Sequence, residues 1–229
     1  NLQIKEANRK EETHATAPTS VSNNTIDVNG TSRTYLTYMP NSASDSVPVI
    51  IQFHGGTGSA QDAYFTSNFD TTAEEEGILM VYPQAETSTG SVWNTIHASE
   101  GNKVSSDDFG FIEALISHLS QNSRIDTSRI YVTGYSNGAA MAYQIACHLN
   151  DKIAGFAVMS GNFPLEADYP CDITHETGGL IFNGTDDVTR PLEGILGYAV
   201  PVRDGAEWWA EQNNSISEQT VQEGNVERT

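Results

Sequence analysis

The residues best suited to chemistry in this sequence are Gly134-Tyr135-Ser136-Asn137-Gly138. They follow the apolar run Ile130-Tyr131-Val132 and precede Ala139-Ala140-Met141-Ala142, so a G-x-S-x-G pentapeptide lies between a predicted strand and a predicted helix. A tight turn at that place needs glycines on both sides of the serine, and it presents the hydroxyl at the helix N-terminus. A serine held this way can attack a carbonyl carbon. By composition alone such a pentapeptide arises in about one chain of this length in a dozen, so the strand–turn–helix context carries the reading. The attack also needs hydrogen-bond donors for the oxyanion it creates. Phe53-His54-Gly55-Gly56-Thr57-Gly58 follows another apolar run, and the amide of Gly56 or of Thr57 can pair there with that of Asn137. His54 reads as a histidine that bonds its own loop.

A nucleophilic serine further needs a base, and the base an acid, in the chain order Ser, Asp, His when the serine sits in such a turn. The apolar run 180–183 ends in Gly184-Thr185-Asp186-Asp187, which offers two carboxylates after a strand. The histidines are His14, His54, His97, His118, His148 and His175, and none follows Asp187. His175 precedes the acid-bearing strand, against the expected order, and His97 lies in a polar loop. Trp93 and Tyr135 are loop aromatics that offer stacking surfaces to a sugar or phenolic ring.

These residues need a scaffold. Short runs rich in Val, Ile and Phe at 25–28, 34–39, 47–53, 78–82, 130–133, 154–160 and 180–183 read as strands, most of them buried. Between them, 60–76, 107–121 and 137–149 place apolar residues at helical spacing, with Ser105 or Ser106 able to cap the second. Asn29-Gly30 marks a tight hairpin between the first two strands. Alternation of strand and helix predicts an α/β fold: one mostly parallel sheet flanked by helices, opened by an antiparallel hairpin. Residues 21–229 form a single domain in this reading, and 1–20, which lack an apolar face, form a flexible arm.

Composition narrows the partners. Eleven Lys and Arg against 30 Asp and Glu give a net charge of −19, which repels nucleic-acid phosphates and anionic membrane surfaces and favours neutral substrates. No apolar stretch approaches the roughly 20 residues of a spanning helix. No HExxH or clustered His, Cys and Asp pattern suggests a metal, and no organic cofactor is implied. The two cysteines, Cys147 and Cys171, fit neither a redox CxxC nor a zinc pattern, which leaves a disulfide or two separate thiols. The acidic surface and scarce lysine suit a secreted protein, extracellular or periplasmic. Nothing in the pattern indicates an oligomeric state.

The segments Phe53-His54-Gly55-Gly56, Val81-Tyr82-Pro83-Gln84, Trp93-Asn94, Asp107-Asp108-Phe109-Gly110-Phe111-Ile112 and Arg129 through Gly138 together resemble the secreted esterases that include polyhydroxybutyrate depolymerases and feruloyl and acetylxylan esterases. The resemblance runs from about Arg33 to Trp209. It implies the α/β-hydrolase fold and a carboxylic ester hydrolase working through an acyl-enzyme on Ser136. The family's His-Gly-Thr-x-Asp segment corresponds to Asn183-Gly184-Thr185-Asp186-Asp187, which implies Asp187 as the acid. It also implies a Cys147–Cys171 disulfide. The family's catalytic histidine comes after a further pair of strands, so the resemblance implies a sequence truncated before those strands and that residue. The substrates implied are small or polymeric esters: feruloyl or acetyl esters of plant polysaccharide, or polyhydroxyalkanoate-type polyesters. A relative that has lost catalysis and binds carbohydrate or polyester is the alternative.

Overall fold

The computed structural model describes residues 21–43, 45–95, 106–164, 171, 173–215, 217–224 and 226–229. The arm expected at 1–20 lies outside the described residues. Strands β1 (Val21–Val28) and β2 (Thr31–Tyr38) pair antiparallel around Asn29 and Gly30, whose φ angles of 53° and 84° are those that a tight hairpin turn demands. The chain continues through β3 (Val47–Phe53), α1 (Ala60–Ser67), α2 (Asp70–Glu76), β4 (Leu79–Pro83), α3 (Asp108–Ser120), β5 (Ile125–Tyr135) and α4 (Asn137–His148). It then forms β6 (Gly155–Met159), β7 (Gly178–Phe182), α5 (Val202–Gln212) and a separate small hairpin, β8 (Val221–Glu223) with β9 (Val226–Arg228).

The main sheet has the order β1-β2-β4-β3-β5-β6-β7, antiparallel at β1, β2 and β4 and parallel from β4 through β7. Parallel strands need long crossovers, and the helices that supply them cover the two faces. Alternate residues of β4 show this directly. Met80 and Tyr82 join Ala60, Ala63, Tyr64 and Ala73 in one apolar cluster, while Leu79 and Val81 join Phe111, Leu115 and Met141 in another. Phe111, Ile112 and Leu115 are fully buried on α3, and each such side chain contributes about 2 kcal/mol relative to exposure.

Two local expectations are corrected. The single helix expected over 60–76 is broken, because Asn68 takes the left-handed conformation at φ 50° and ends α1 before Phe69 begins α2. The cap of α3 is neither Ser105 nor Ser106: Asp107 Oδ1 accepts the Gly110 amide at 2.8 Å. Ser105 lies outside the described residues, and the Ser106 hydroxyl donates to Asp108 Oδ2 instead.

From β3 the chain first moves outward to β4 and then returns past β3 to β5. At that reversal the connections after β3 and β5 lead to opposite sides of β3, and the C-terminal ends of strands at such a reversal are where doubly wound sheets bind ligands. At the far side β7 is the edge strand, with Leu180 61% and Phe182 54% exposed. Among the described residues no helix is long and apolar enough to cross a membrane.

Candidate active site

Strand β5 carries Ser136 at its C-terminal end, at the reversal of strand order between β3 and β5. Its φ of 54° and ψ of −115° lie outside the regions an L-residue prefers, a strain of order 1–3 kcal/mol that the surroundings must hold. The flanking glycines explain how. A Cβ on Gly134 would collide with the Gly138 carbonyl oxygen, and one on Gly138 would collide with the carbonyl oxygens of Phe53 and His54. Helix α4 therefore starts almost in contact with the end of β3. The Ser136 amide donates to Met159 O at 3.0 Å, which fixes the turn to β6.

Next to this serine, the first residue of α4 is Asn137. A Cβ on Gly56 would lie 3.4 Å from the Asn137 Cβ, so the two backbones are neighbours. Among the described residues neither the Gly56 nor the Asn137 amide has an acceptor. Thr57, the other expected oxyanion donor, is corrected: its amide donates to Ser91 O at 2.9 Å, with φ at 62°, so it has no free N–H to offer. Gly56 and Asn137 remain as the pair of free donors.

His54 is buried, and both of its ring nitrogens are occupied. Nδ1 donates to Gly55 O at 2.7 Å, and Nε2 accepts the Ala85 amide at 3.1 Å. Burial holds its pKa below the usual imidazole value, in keeping with Nε2 serving as an acceptor. Trp93, expected to stack on substrate, is also corrected. It is 1% exposed, lies edge-on to Phe53 at 5.2 Å, and donates its indole N–H to His54 O at 2.9 Å. No face of its ring is open. Tyr135 is 55% exposed beside the serine, its ring within 3.1 Å of where a Gly55 Cβ would be, and it keeps a surface for a ligand.

The carboxylate arrives from β7. In-register pairing of Tyr135 with Met159 and of Met159 with Phe182 means that the chains leaving β5, β6 and β7 emerge from one edge, about 5 Å apart per strand. Asp187 is half-buried in the turn after β7, and its Oδ1 accepts the amides of Thr189 and Arg190, each at 2.9 Å. The Arg190 and Thr189 amides, then the Ser160 hydroxyl and the Arg190 charge, hold the carboxyl below the usual carboxylate range. Asp186 is exposed.

None of the described histidines completes the site. His175 sits before β7, at the opposite end of the strands from Ser136, with Nε2 on Ile153 O at 3.1 Å. His148 ends α4, roughly 18 Å of helix away from its start. His118 is in the last turn of α3. His14 and His97 lie outside the described residues. The disulfide implied by resemblance is present between Cys147 and Cys171, joining α4 to the segment before β7.

Sequence reasoning missed the buried ion pair that holds the segment after Trp93. Asp108 is 0% exposed and pairs with Arg33 at 2.6 Å, while its other oxygen accepts the Asn94 amide at 2.8 Å. The signal was there: position 108 shares the apolar stripe of Phe111, Ile112 and Leu115, and a carboxylate on such a stripe needs a buried cation.

A family model described as Phospholipase/Carboxylesterase matches residues 40–194. A bifunctional acetylxylan esterase/xylanase of Neocallimastix patriciarum is 26% identical over 178 residues, which take in 76% of this chain and 24% of that protein. A probable acetylxylan esterase A of Aspergillus fumigatus is 30% identical over 124 residues, 54% of this chain and 33% of that one. The chain thus spans a third or less of the length of these two relatives. Among solved structures, a thermostable esterase superposes with a TM-score of 0.64 at 19% identity, covering 85% of this chain and 52% of that one, a likeness of fold.

Proposed function

The chain belongs to the phospholipase/carboxylesterase family of the α/β-hydrolase superfamily, and from that premise we propose that it is a carboxylic ester hydrolase acting through an acyl-enzyme on Ser136. The observation that carries the reading is the strained serine beside two unpaired amides, those of Gly56 and Asn137. The Ser136 oxygen adds to the ester carbonyl carbon as its proton passes to an imidazole, and the carbonyl oxygen becomes an oxyanion held by the two amides. Collapse expels the alcohol, which takes the proton back from the imidazole. Water then repeats the sequence on the acyl-serine and releases the carboxylic acid. Asp187 orients the imidazole and balances its charge, its carboxylate held in place by the two backbone amides on Oδ1. The imidazole comes from outside the described residues.

Acetyl esters of plant polysaccharide are the substrate class we favour, supported by the acetylxylan esterases among the relatives. Feruloyl esters and hydroxyalkanoate polyesters share the chemistry. The exposed Tyr135 ring offers a sugar or phenolic group a platform, and the net charge of −19 suits neutral polymers. The disulfide supports an extracellular or periplasmic location.

A second reading has one observation in its favour: every described histidine is placed away from Ser136 or engaged elsewhere. In that reading the protein binds carbohydrate or polyester without hydrolysing it. Rates for the full natural gene product on acetylated xylan, methyl ferulate, polyhydroxybutyrate and nitrophenyl acetate separate the two. Hydrolysis abolished by Ser136→Ala supports the enzyme; binding without hydrolysis supports the alternative.

A further inference from the structure

We propose that Trp93 is a positioning residue for the oxyanion hole, a strut that sets the spacing between its two backbone donors; this rests on the ester-hydrolase reading above. The donors come from different loops, Gly56 from the loop after β3 and Asn137 from the start of α4; pairing of β3 with β5 as far as Phe53 and Gly134 brings the two arms side by side, and the position of Gly56 beyond that pairing depends on its loop. Trp93 touches both arms. Its backbone amide donates to Asn137 Oδ1 at 2.7 Å, and its carbonyl accepts from Asn137 Nδ2 at 3.3 Å, a two-point clamp on the residue that carries one donor. Its indole N–H donates to His54 O at 2.9 Å, two residues before the other donor.

The strut is itself anchored. The next residue, Asn94, donates its amide to Asp108 Oδ2 at 2.8 Å and its side chain to Ser106 O at 2.8 Å. Asp108 is locked by Arg33, which also reaches Gln84 O at 3.2 Å, and Gln84 in turn holds Ser91 Oγ at 2.7 Å. Ser91 O accepts the Thr57 amide, which closes the circuit on the Gly56 side. The backbone clamp is open to any non-proline residue at this position; what the tryptophan adds is the indole N–H on His54 O, which ties the clamped Asn137 to the Gly56 arm. A buried ion pair of this kind gives little net stability, and its worth here is geometric.

Oxyanion donors act only when they point at the position the oxyanion takes in the transition state, and a misplacement of about 1 Å can cost 10²-fold. Trp93→Phe keeps an aromatic ring against Phe53 and removes the bond to His54 O together with part of the buried ring volume. In the full natural gene product it is expected to lower kcat about tenfold or more with KM nearly unchanged. It should also weaken a trifluoromethyl ketone transition-state analogue by the same factor as kcat/KM. Asn137→Ala releases the clamp from the other end and leaves the core aromatic in place, so it tests the strut should Trp93→Phe not fold; the same pattern is expected. Variants that fold with lower Tm but unchanged kcat and analogue affinity overturn the strut and leave Trp93 as packing. Absence of Ser136-dependent turnover in the unsubstituted protein overturns the ester-hydrolase reading itself, which is a separate result.

Discussion

Asn162 donates its Nδ2 to the carbonyl oxygen of Pro191 at 2.9 Å, from a side chain that is 1% exposed. This bond ties the turn after β6 to the loop that carries Asp187. With the Ser136 amide bonded to Met159 O on β6, Ser136 and the loop of Asp187, the proposed nucleophile and acid, are both referred to β6 and the turn that follows it.

Asn162→Ala removes that mooring, while the Gly194 amide still donates to the Pro191 carbonyl at 3.0 Å. A loss of about 1 kcal/mol of stability is expected from one buried hydrogen bond. Because the acid loop loosens while the serine and its donors stay in place, kcat should fall severalfold with KM little changed. Denaturant unfolding and steady-state kinetics read the two effects separately.

The pH behaviour follows from Asp187, whose carboxyl is held below the usual carboxylate range by the Arg190 and Thr189 amides. A carboxyl depressed on folding contributes stability above its unfolded value, about 3.9, and that contribution is lost as pH falls through the lower folded value. Asp187 therefore stays ionised throughout the working range, and the acid limb of kcat should reflect an imidazole titrating near 6.5, with activity rising as it deprotonates. Asp187→Asn is expected to lower kcat by about 10³-fold or more, since the imidazole loses both its orientation and its counter-charge. A pH–rate profile of the parent and the variant checks both statements.

Much of this arrangement was legible in the sequence because it depends on neighbours in the chain. The G-x-S-x-G turn is a local steric problem that glycine solves, and the strands that frame it announce themselves by continuous Val, Ile and Phe. What was not legible depends on partners far along the chain. Trp93 in a polar loop looks like a ligand platform until His54 and Asn137, 39 and 44 residues away, prove to be its partners. Thr57 looks as free as Gly56 until Ser91 claims its amide. The break at Asn68 was missed because the apolar spacing continues across it, although an asparagine followed by Phe69-Asp70 could have signalled a left-handed helix end.

Arg33 and Asp108 are 5% and 0% exposed, so neither charge can turn to water if the other is removed. Arg33→Met is expected to cost about 3–5 kcal/mol, far more than loss of a surface ion pair. Chemical denaturation measures this. Arg129→Met, which removes a partly exposed pair with Asp126, is the control and should cost about 1 kcal/mol or less.

The Cys147–Cys171 disulfide closes a loop with a sequence separation of 24. Its removal by double Ser substitution should cost about 3 kcal/mol through the wider unfolded ensemble. The loop runs from the nucleophile's helix to the segment before β7, so reduction should lower Tm before it alters KM. Mass spectrometry of unreduced protein should show neither thiol open to alkylation.

The central claim is that Ser136 carries the acyl group, and the most direct measurement is rapid quenching of the full natural gene product with nitrophenyl acetate, followed by peptide mass spectrometry. The expected result is a burst of nitrophenol and an acetyl group on the peptide containing Ser136, both absent in Ser136→Ala. Turnover without acylation of Ser136, or an acetyl group that persists on another residue in the Ser136→Ala variant with activity retained, would contradict the account.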